Sequence, residues 1–436
     1  MDLSSSAHHA FAADADGLAR ALEELVAHHG AAVAEAGTTP LPDGIPADGI
    51  GPEAALALLA PLALDTATSL WAPTAAAHMD TPTPWITWAA ASWTAAQSQN
   101  LLHRRSAPGA LALEDTLMSW LAPMWGMHGG HVVPGATIAN LTALWAARDG
   151  AGASRIVTSE AAHVSIAKSA RLLGMPLFTL PTDSQDRISL DALADMTRRN
   201  PAEMDRTAVV LTAGTSAAGS IDQFDGARRA VSAFGAHAPW WHIDAAWAGP
   251  LVFSERHRKA LDGIARADSV SVATHKWLFQ PTEAAVVLFR DLTRANSALQ
   301  FFGPGDANQI GLLGSRADRS LTLVLTLLAY GKAGVGAWID QCIQQIAALE
   351  QAMRTRDDVE LFGRPSSGIL LWRPTQADVD TVAAGLDPGS ASVVYARGQR
   401  WIRHVAASPL LDADELLYGI EAALRSSDSE KDADPA

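Results

Sequence analysis

From about residue 85 to 332, short apolar runs alternate with stretches of helical periodicity, and this alternation limits the fold more than any other feature of the chain. The runs ASRIVTS, TAVVLTAG, PWWHIDAAW, SVSVAT and AAVVLFR read as strands, and 138–149 and 165–173 as helices between them. Strands that alternate with helices build βαβ units and a mostly parallel sheet covered on both faces, an α/β architecture. Ligands of such sheets gather beyond the carboxyl ends of the strands.

The flanks read differently. Residues 1–84 are Ala-rich, with helical pieces at 18–36 and 52–71 around a Pro/Gly loop; neither piece can bury a face alone, so an N-terminal helical arm is expected. The large domain is placed at 85–332. A smaller α+β domain follows at 333–425, with a long helix, strands in SGILLWRP and ASVVYARGQRWIRHVAA, and a last helix over 413–426. The polar tail, 426–436, is expected to be disordered. The longest apolar stretch, 321–330, is too short to span a bilayer, and the N-terminus lacks the basic-then-apolar pattern of a secretory signal. A cytoplasmic chain with no membrane partner is expected.

A formal net charge of −15, from 32 Lys and Arg against 47 acids, argues against a nucleic-acid partner. One cysteine, Cys342, excludes an internal disulfide; it sits in an apolar helical pattern as a packed thiol. The fourteen histidines show no paired spacing that would suggest a metal site.

The chemistry concentrates in WHIDAAWAGP and ADSVSVATHKWLFQ. A charged Asp244 in an apolar strand is costly without a partner, and a protonated ring nitrogen would be one. Ala246, two residues on, points to the same side and leaves room for a flat ring. Lys276 stands among apolar neighbours, where desolvation lowers the pKa of an amine. A buried Asp–Lys ion pair in a tryptophan-rich core would account for the same letters.

Those two segments resemble the group II pyridoxal-phosphate (PLP) decarboxylases, the family of aromatic-amino-acid, glutamate, histidine and diaminobutyrate decarboxylases. The likeness runs in order through SAPGALALEDTLMSWLA, GATIANLTALWAARD, SEAAHVSIAKSARLLG, TAGTSAAGSID, GLLGSRADRS and WIRHV, covering roughly residues 75–420. It implies the type I PLP-dependent transferase (aspartate-aminotransferase-like) fold and a homodimer with shared active sites. It further implies an amino-acid substrate and decarboxylation to an amine and CO2. By the same resemblance Lys276 carries the cofactor as a Schiff base, His275 lies near its phosphate and Asp244 meets the pyridine nitrogen. Ala246 packs on one ring face and His163 stacks on the other. Gly135, Ala136 and Thr137 form the phosphate-cradling turn, and Thr212 lies beside the ring.

The chain also departs from the family. Many members supply the acid that protonates Cα as a tyrosine on a loop after the lysine, whereas Tyr330, Tyr395 and Tyr418 all lie elsewhere. Phe301 and Phe302 keep aldehyde synthesis open as an alternative, beside C–C lysis or transamination; a scaffold that retains only the fold would need none of Lys276, Asp244 and His163. Ile138 and Ala273 replace polar residues common in the family. Candidate substrate contacts are His78, Trp85, Arg316 and Arg403; for Arg403 a substrate acid and an Asp or Glu of the fold are both open partners, and Trp85, Trp88 and Trp93 read more readily as packing.

Overall fold

The computed structural model describes residues 14–28, 41–235, 238–300 and 310–433. It divides into two compact units, residues 1–72 and 73–436. In the first unit lie α1 (Ala15–His28) and α2 (Pro52–Ala60), the latter continued by a π-helical turn over Pro61–Asp65. The arm helix expected over 18–36 runs partly outside the described residues.

The second unit holds a seven-stranded sheet. Its strands are β1 (Gly129–Val133), β2 (Arg155–Ser159), β3 (Leu177–Leu180), β4 (Thr207–Thr212), β5 (Trp240–Asp244), β6 (Ser269–Ala273) and β7 (Ala285–Phe289). Their spatial order is β1-β7-β6-β5-β4-β2-β3, with β7 antiparallel to both neighbours and the remaining pairs parallel. Around it lie α3 (Trp85–Gln97), α4 (Pro108–Leu121), α5 (Ala136–Ala151), α6 (Val164–Leu173), α7 (Leu190–Arg199), α8 (Phe224–Ser232) and α9 (Leu292–Leu299). Alternate strand residues enter two separate cores. Val209, Leu211, Trp241, Ile243, Val286 and Leu288 join one; Ala208, Val210, Trp240, Ala285, Val287 and Phe289 join the other, beneath α5 and α6. A sheet buried on both faces in this way reads as continuous apolar runs.

After α10 (Leu321–Arg354) come β8 (Val359–Leu361), β9 (Ile369–Pro374), α11 (Val379–Ala384), β10 (Ser392–Ala396), β11 (Gln399–Val405) and α12 (Ala413–Ala433). The four strands form an antiparallel sheet in the order β10-β11-β9-β8. Together the two sheets match the expected type I architecture. The final helix continues through Ala433, beyond the expected end at Ser426, so the described part of the tail is helical.

The apolar pattern continues past Tyr330, so that among the described residues one helix, α10, is long and apolar enough to cross a bilayer by length and composition. Part of its apolar face packs inward: Leu323, Val324, Val335, Ile339, Ile346 and Met353 are buried in the core, and so is the Cys342 thiol. The helix also breaks at Gly331, whose φ of 65° and ψ of 178° suit only glycine.

Candidate active site

The carboxyl ends of β1, β2, β4, β5 and β6 lead directly into the residues singled out by sequence. Period-2 alternation decides which side chains meet there. His242 and Asp244 point with Trp240 toward α5, as do Ser269 and Ser271 on β6; Thr212 and Ser271 are the register partners of Asp244 on either side. Helix α5 faces them with Asn140, which is fully buried.

Asp244 is 4% exposed and held by donors. Asn140 Nδ2 donates to its Oδ2 at 2.8 Å, and the Ala246 N–H donates to Oδ1 at 3.2 Å. Asn140 Nδ2 also donates to Ser165 Oγ at 2.9 Å, and its Oδ1 lies 2.9 Å from His242 Nε2 and 2.5 Å from Ser271 Oγ. Ser165 Oγ is 2.8 Å from His163 Nδ1, which also accepts the Ser165 backbone N–H at 3.2 Å as the N-cap of α6. Burial lowers the His163 pKa, with Lys276 and Lys168 acting the same way and Asp244 opposing. His163 and Asp244, distant in sequence, are thus joined through two side chains.

Lys276 lies just past β6 in a turn whose carbonyls are pinned from outside. The Thr81 hydroxyl donates to the carbonyl oxygens of His275 and Lys276, at 3.1 and 3.0 Å. The amine's contact is Met79 Sδ at 3.5 Å, a weak acceptor. Burial lowers its pKa below the ordinary lysine value, while the carboxylates of Asp244 and Asp80 pull the other way and Arg403 adds to the lowering. His275 directs Nδ1 to the Ala284 carbonyl at 2.7 Å, which leaves Nε2 for another partner.

Three features fit a flat, phosphorylated cofactor. The Thr212 hydroxyl is buried beside Asp244 with no partner among the described residues. Ala246 is half-buried where its strand-end neighbours are fully buried. Helix α5 starts at Gly135, at φ 88° and ψ 158°, with no side-chain cap and with open space where a Cβ would stand. The first N–H groups of α5, at Ala136, Thr137 and beyond, therefore remain for an anion.

The candidate substrate contacts separate. Arg403 is 9% exposed; Nε donates to Ser392 Oγ at 3.1 Å, Nη1 to the Ser216 carbonyl at 2.5 Å and Nη2 to the Ala77 carbonyl at 3.0 Å. No carboxylate pairs with it among the described residues, so an Asp or Glu of the fold is not its partner. Arg316 is instead committed to Glu114, at 2.5 and 2.8 Å, with both side chains buried. His78 is exposed between Ala77 and Met79, which touch Arg403 and Lys276. Trp85 opens α3 and is 65% exposed. Phe301 and Phe302 lie outside the described residues.

Sequence reasoning missed Asn140, Ser165, His242 and Ser271. His242 carried a signal, a second polar side chain on the buried face of β5; Asn140 carried almost none.

The model of the pyridoxal-dependent decarboxylase conserved domain matches residues 60–373. The chain belongs to that family. It is 33% identical to L-2,4-diaminobutyrate decarboxylase of Rhizobium meliloti, over 77% of this chain and 72% of the relative. A second L-2,4-diaminobutyrate decarboxylase, from Acinetobacter baumannii, is 25% identical over 88% and 86% of the two chains. In fold it is similar to Oryza sativa TDC with PLP and tryptamine, with a TM-score of 0.85 at 18% identity and 96% and 99% coverage. The family's cofactor is pyridoxal phosphate, and its members are carboxy-lyases acting on amino acids.

Proposed function

We propose that this amino-acid decarboxylase works through Lys276, Asp244 and His163, with Arg403 gripping an acid group of the substrate. The observation that carries the reading is a buried amine and a buried guanidinium close enough to act on one another: among the described residues Lys276 has a thioether as its hydrogen-bond partner, and Arg403 donates to neutral oxygens.

When bound, the cofactor supplies a protonated ring that accepts the electron pair of the broken Cα–carboxylate bond. Lys276 Nζ would hold its aldehyde carbon, and burial, which lowers the amine's pKa, favours the neutral form that this bond requires. Asp244 would keep the ring nitrogen protonated, Thr212 and His275 would offer polar contacts to ring and phosphate, and Gly135, Ala136 and Thr137 would take the phosphate at the start of α5. His163 and Ala246 would bracket the ring.

Three N–H groups of Arg403 are used within the protein, so one on each Nη remains, the fork that a carboxylate accepts. Fixing that acid group restricts which Cα bond can stand perpendicular to the ring, the geometry that decides which bond breaks. The proton that replaces CO2 does not come from a tyrosine of the segment after Lys276, because none of Tyr330, Tyr395 and Tyr418 lies between Lys276 and Arg316 and Tyr330 packs on Trp338 at 4.9 Å; His163 and the Lys276 ammonium are the groups at the site that remain for it. The relatives' names point to diamino, acidic and aromatic amino acids as substrates to try. A cytoplasmic homodimer completes the reading.

The test is reconstitution with pyridoxal phosphate and a screen of amino acids for CO2, amine, aldehyde and H2O2. CO2 with amine supports the reading, and aldehyde with H2O2 would replace it with oxidative decarboxylation. Lys276→Ala should abolish the visible absorption of the bound cofactor; an unchanged spectrum would remove Lys276 from its role.

A further inference from the structure

The hydrogen-bond chain behind the ring site has a direction, and that direction is set at Asp244. A carboxylate accepts, so Asn140 turns Nδ2 to Asp244 Oδ2 and points Oδ1 the other way. There Oδ1 accepts from Ser271 Oγ at 2.5 Å and from His242 Nε2 at 2.9 Å. Burial pushes the His242 pKa down to about 4 and keeps the ring neutral, so its one hydrogen is on Nε2 and Nδ1 is bare, 2.9 Å from Ser269 Oγ. Ser269 Oγ in turn accepts from Trp240 Nε1 at 3.0 Å.

With both lone pairs of Oδ1 taken, the amide must present Nδ2 to its other two neighbours, Asp244 Oδ2 and Ser165 Oγ. The reverse orientation would set a carbonyl oxygen against a carboxylate. Every donor and acceptor of this buried amide is thereby satisfied. The Ser165 backbone N–H can only donate, so His163 Nδ1 accepts it, and the Ser165 hydroxyl, which accepts from Asn140, turns its own hydrogen to the same Nδ1 at 2.8 Å. Both donors demand that Nδ1 be bare, so neutral His163 carries its hydrogen on Nε2.

We infer that Asn140 is a positioning residue that serves both faces of the reaction with one side chain. Its Nδ2 hydrogens hold the Asp244 carboxylate in place and, through Ser165, hold the His163 ring with Nε2–H turned away from α6. The inference rests on the proposed site and adds a mechanical link between Asp244 and His163, the two side chains that would meet the ring at its nitrogen and on its face.

The experiment uses holoenzyme of the wild type and of Asn140→Ala, Ser165→Ala and the double variant. Asn140→Ala is expected to weaken the visible cofactor band at neutral pH and to lower kcat by about 10- to 100-fold, with KM little changed. Ser165→Ala touches only the His163 branch, so it should lower kcat and leave the band intact. The double variant should be no slower than Asn140→Ala, because both cut one chain. Losses in kcat that multiply, or a band unaffected by Asn140→Ala, would overturn the link. If Asn140→Ala does not fold, the isosteric Asn140→Asp answers the same question: it turns an acceptor on Asp244 and should lose the band, and a retained band with retained kcat would overturn the link. A wild-type chain that forms no band with pyridoxal phosphate would refute the site itself, a result distinct from either.

Discussion

Arg403 and His404 stand side by side on β11 and illustrate two fates of a buried cationic side chain. Arg403 keeps two unused N–H groups, so Arg403→Met should raise KM by about 30- to 1,000-fold, the cost of removing a charged partner from a buried carboxylate. Cofactor binding, followed by its absorption, should stay unchanged; equal loss of both would assign Arg403 to the scaffold. His404 is fully buried, stacks on Trp372 at 6.3 Å and donates from Nδ1 to the Ser390 carbonyl at 2.8 Å. Burial pushes its pKa down to about 4 from the ordinary 6.5. The unfolded chain therefore takes up the proton first as pH falls, and the stability held above about pH 6.5 is lost toward pH 4. One such group contributes a slope of about 1.4 kcal/mol per pH unit in that window. In His404→Phe the loss of stability between pH 7 and 5 should shrink by about 2 kcal/mol. Urea midpoints at the two pH values check this, and an unchanged difference would place the titration elsewhere, with His131 and His242 the other buried histidines near pKa 4.

At the scale of elements, α5 is where backbone geometry meets function. Gly135 holds φ 88° and ψ 158° at its N-cap, in space that would accept a methyl group. Gly135→Ala should therefore destabilise the apo chain by about 1–3 kcal/mol through backbone strain alone. If the turn cradles phosphate, the same change should also weaken pyridoxal phosphate binding; a lower melting temperature with unchanged affinity would separate strain from recognition. The elements that were legible in sequence are those with strong internal pattern: β4 to β7, α5 and α6. The missed ones have local reasons. In β1, GGHVV, glycine erases the strand signal, yet Gly130 is required because a Cβ there would stand 2.1 Å from the Val287 carbonyl of β7. Strand β3 lies at a sheet edge with polar and exposed positions, and β8 has only three residues. The same contrast holds at the site. Asp244 and Lys276 were visible because charge is conspicuous in an apolar run, whereas Asn140 is one amide in an Ala-rich helix and acquires meaning only when β5 and β6 fold beneath it.

The whole molecule leaves large apolar side chains in water that a lone subunit has no use for. Trp85 and Trp93, eight residues apart and so within one stripe of α3, are 65% and 59% exposed, and Leu328 of α10, the helix packed against α3, is 67% exposed. Two tryptophans with roughly 150–250 Å² of surface each are a large fraction of what one partner contributes to a stable interface. A net charge of −15 would by itself keep copies apart, so association must come from a local apolar face. We propose a second copy of this chain as the occupant. Sedimentation at micromolar concentration should then give about twice 45.8 kDa. Trp93→Glu, which lies outside the Lys276 cluster, should shift the equilibrium toward monomer, and activity per chain should fall on dilution in parallel with the dimer fraction. Full activity in a variant shown to be monomeric would mean that each subunit carries a complete site, and that the exposed face of α3 serves some other contact.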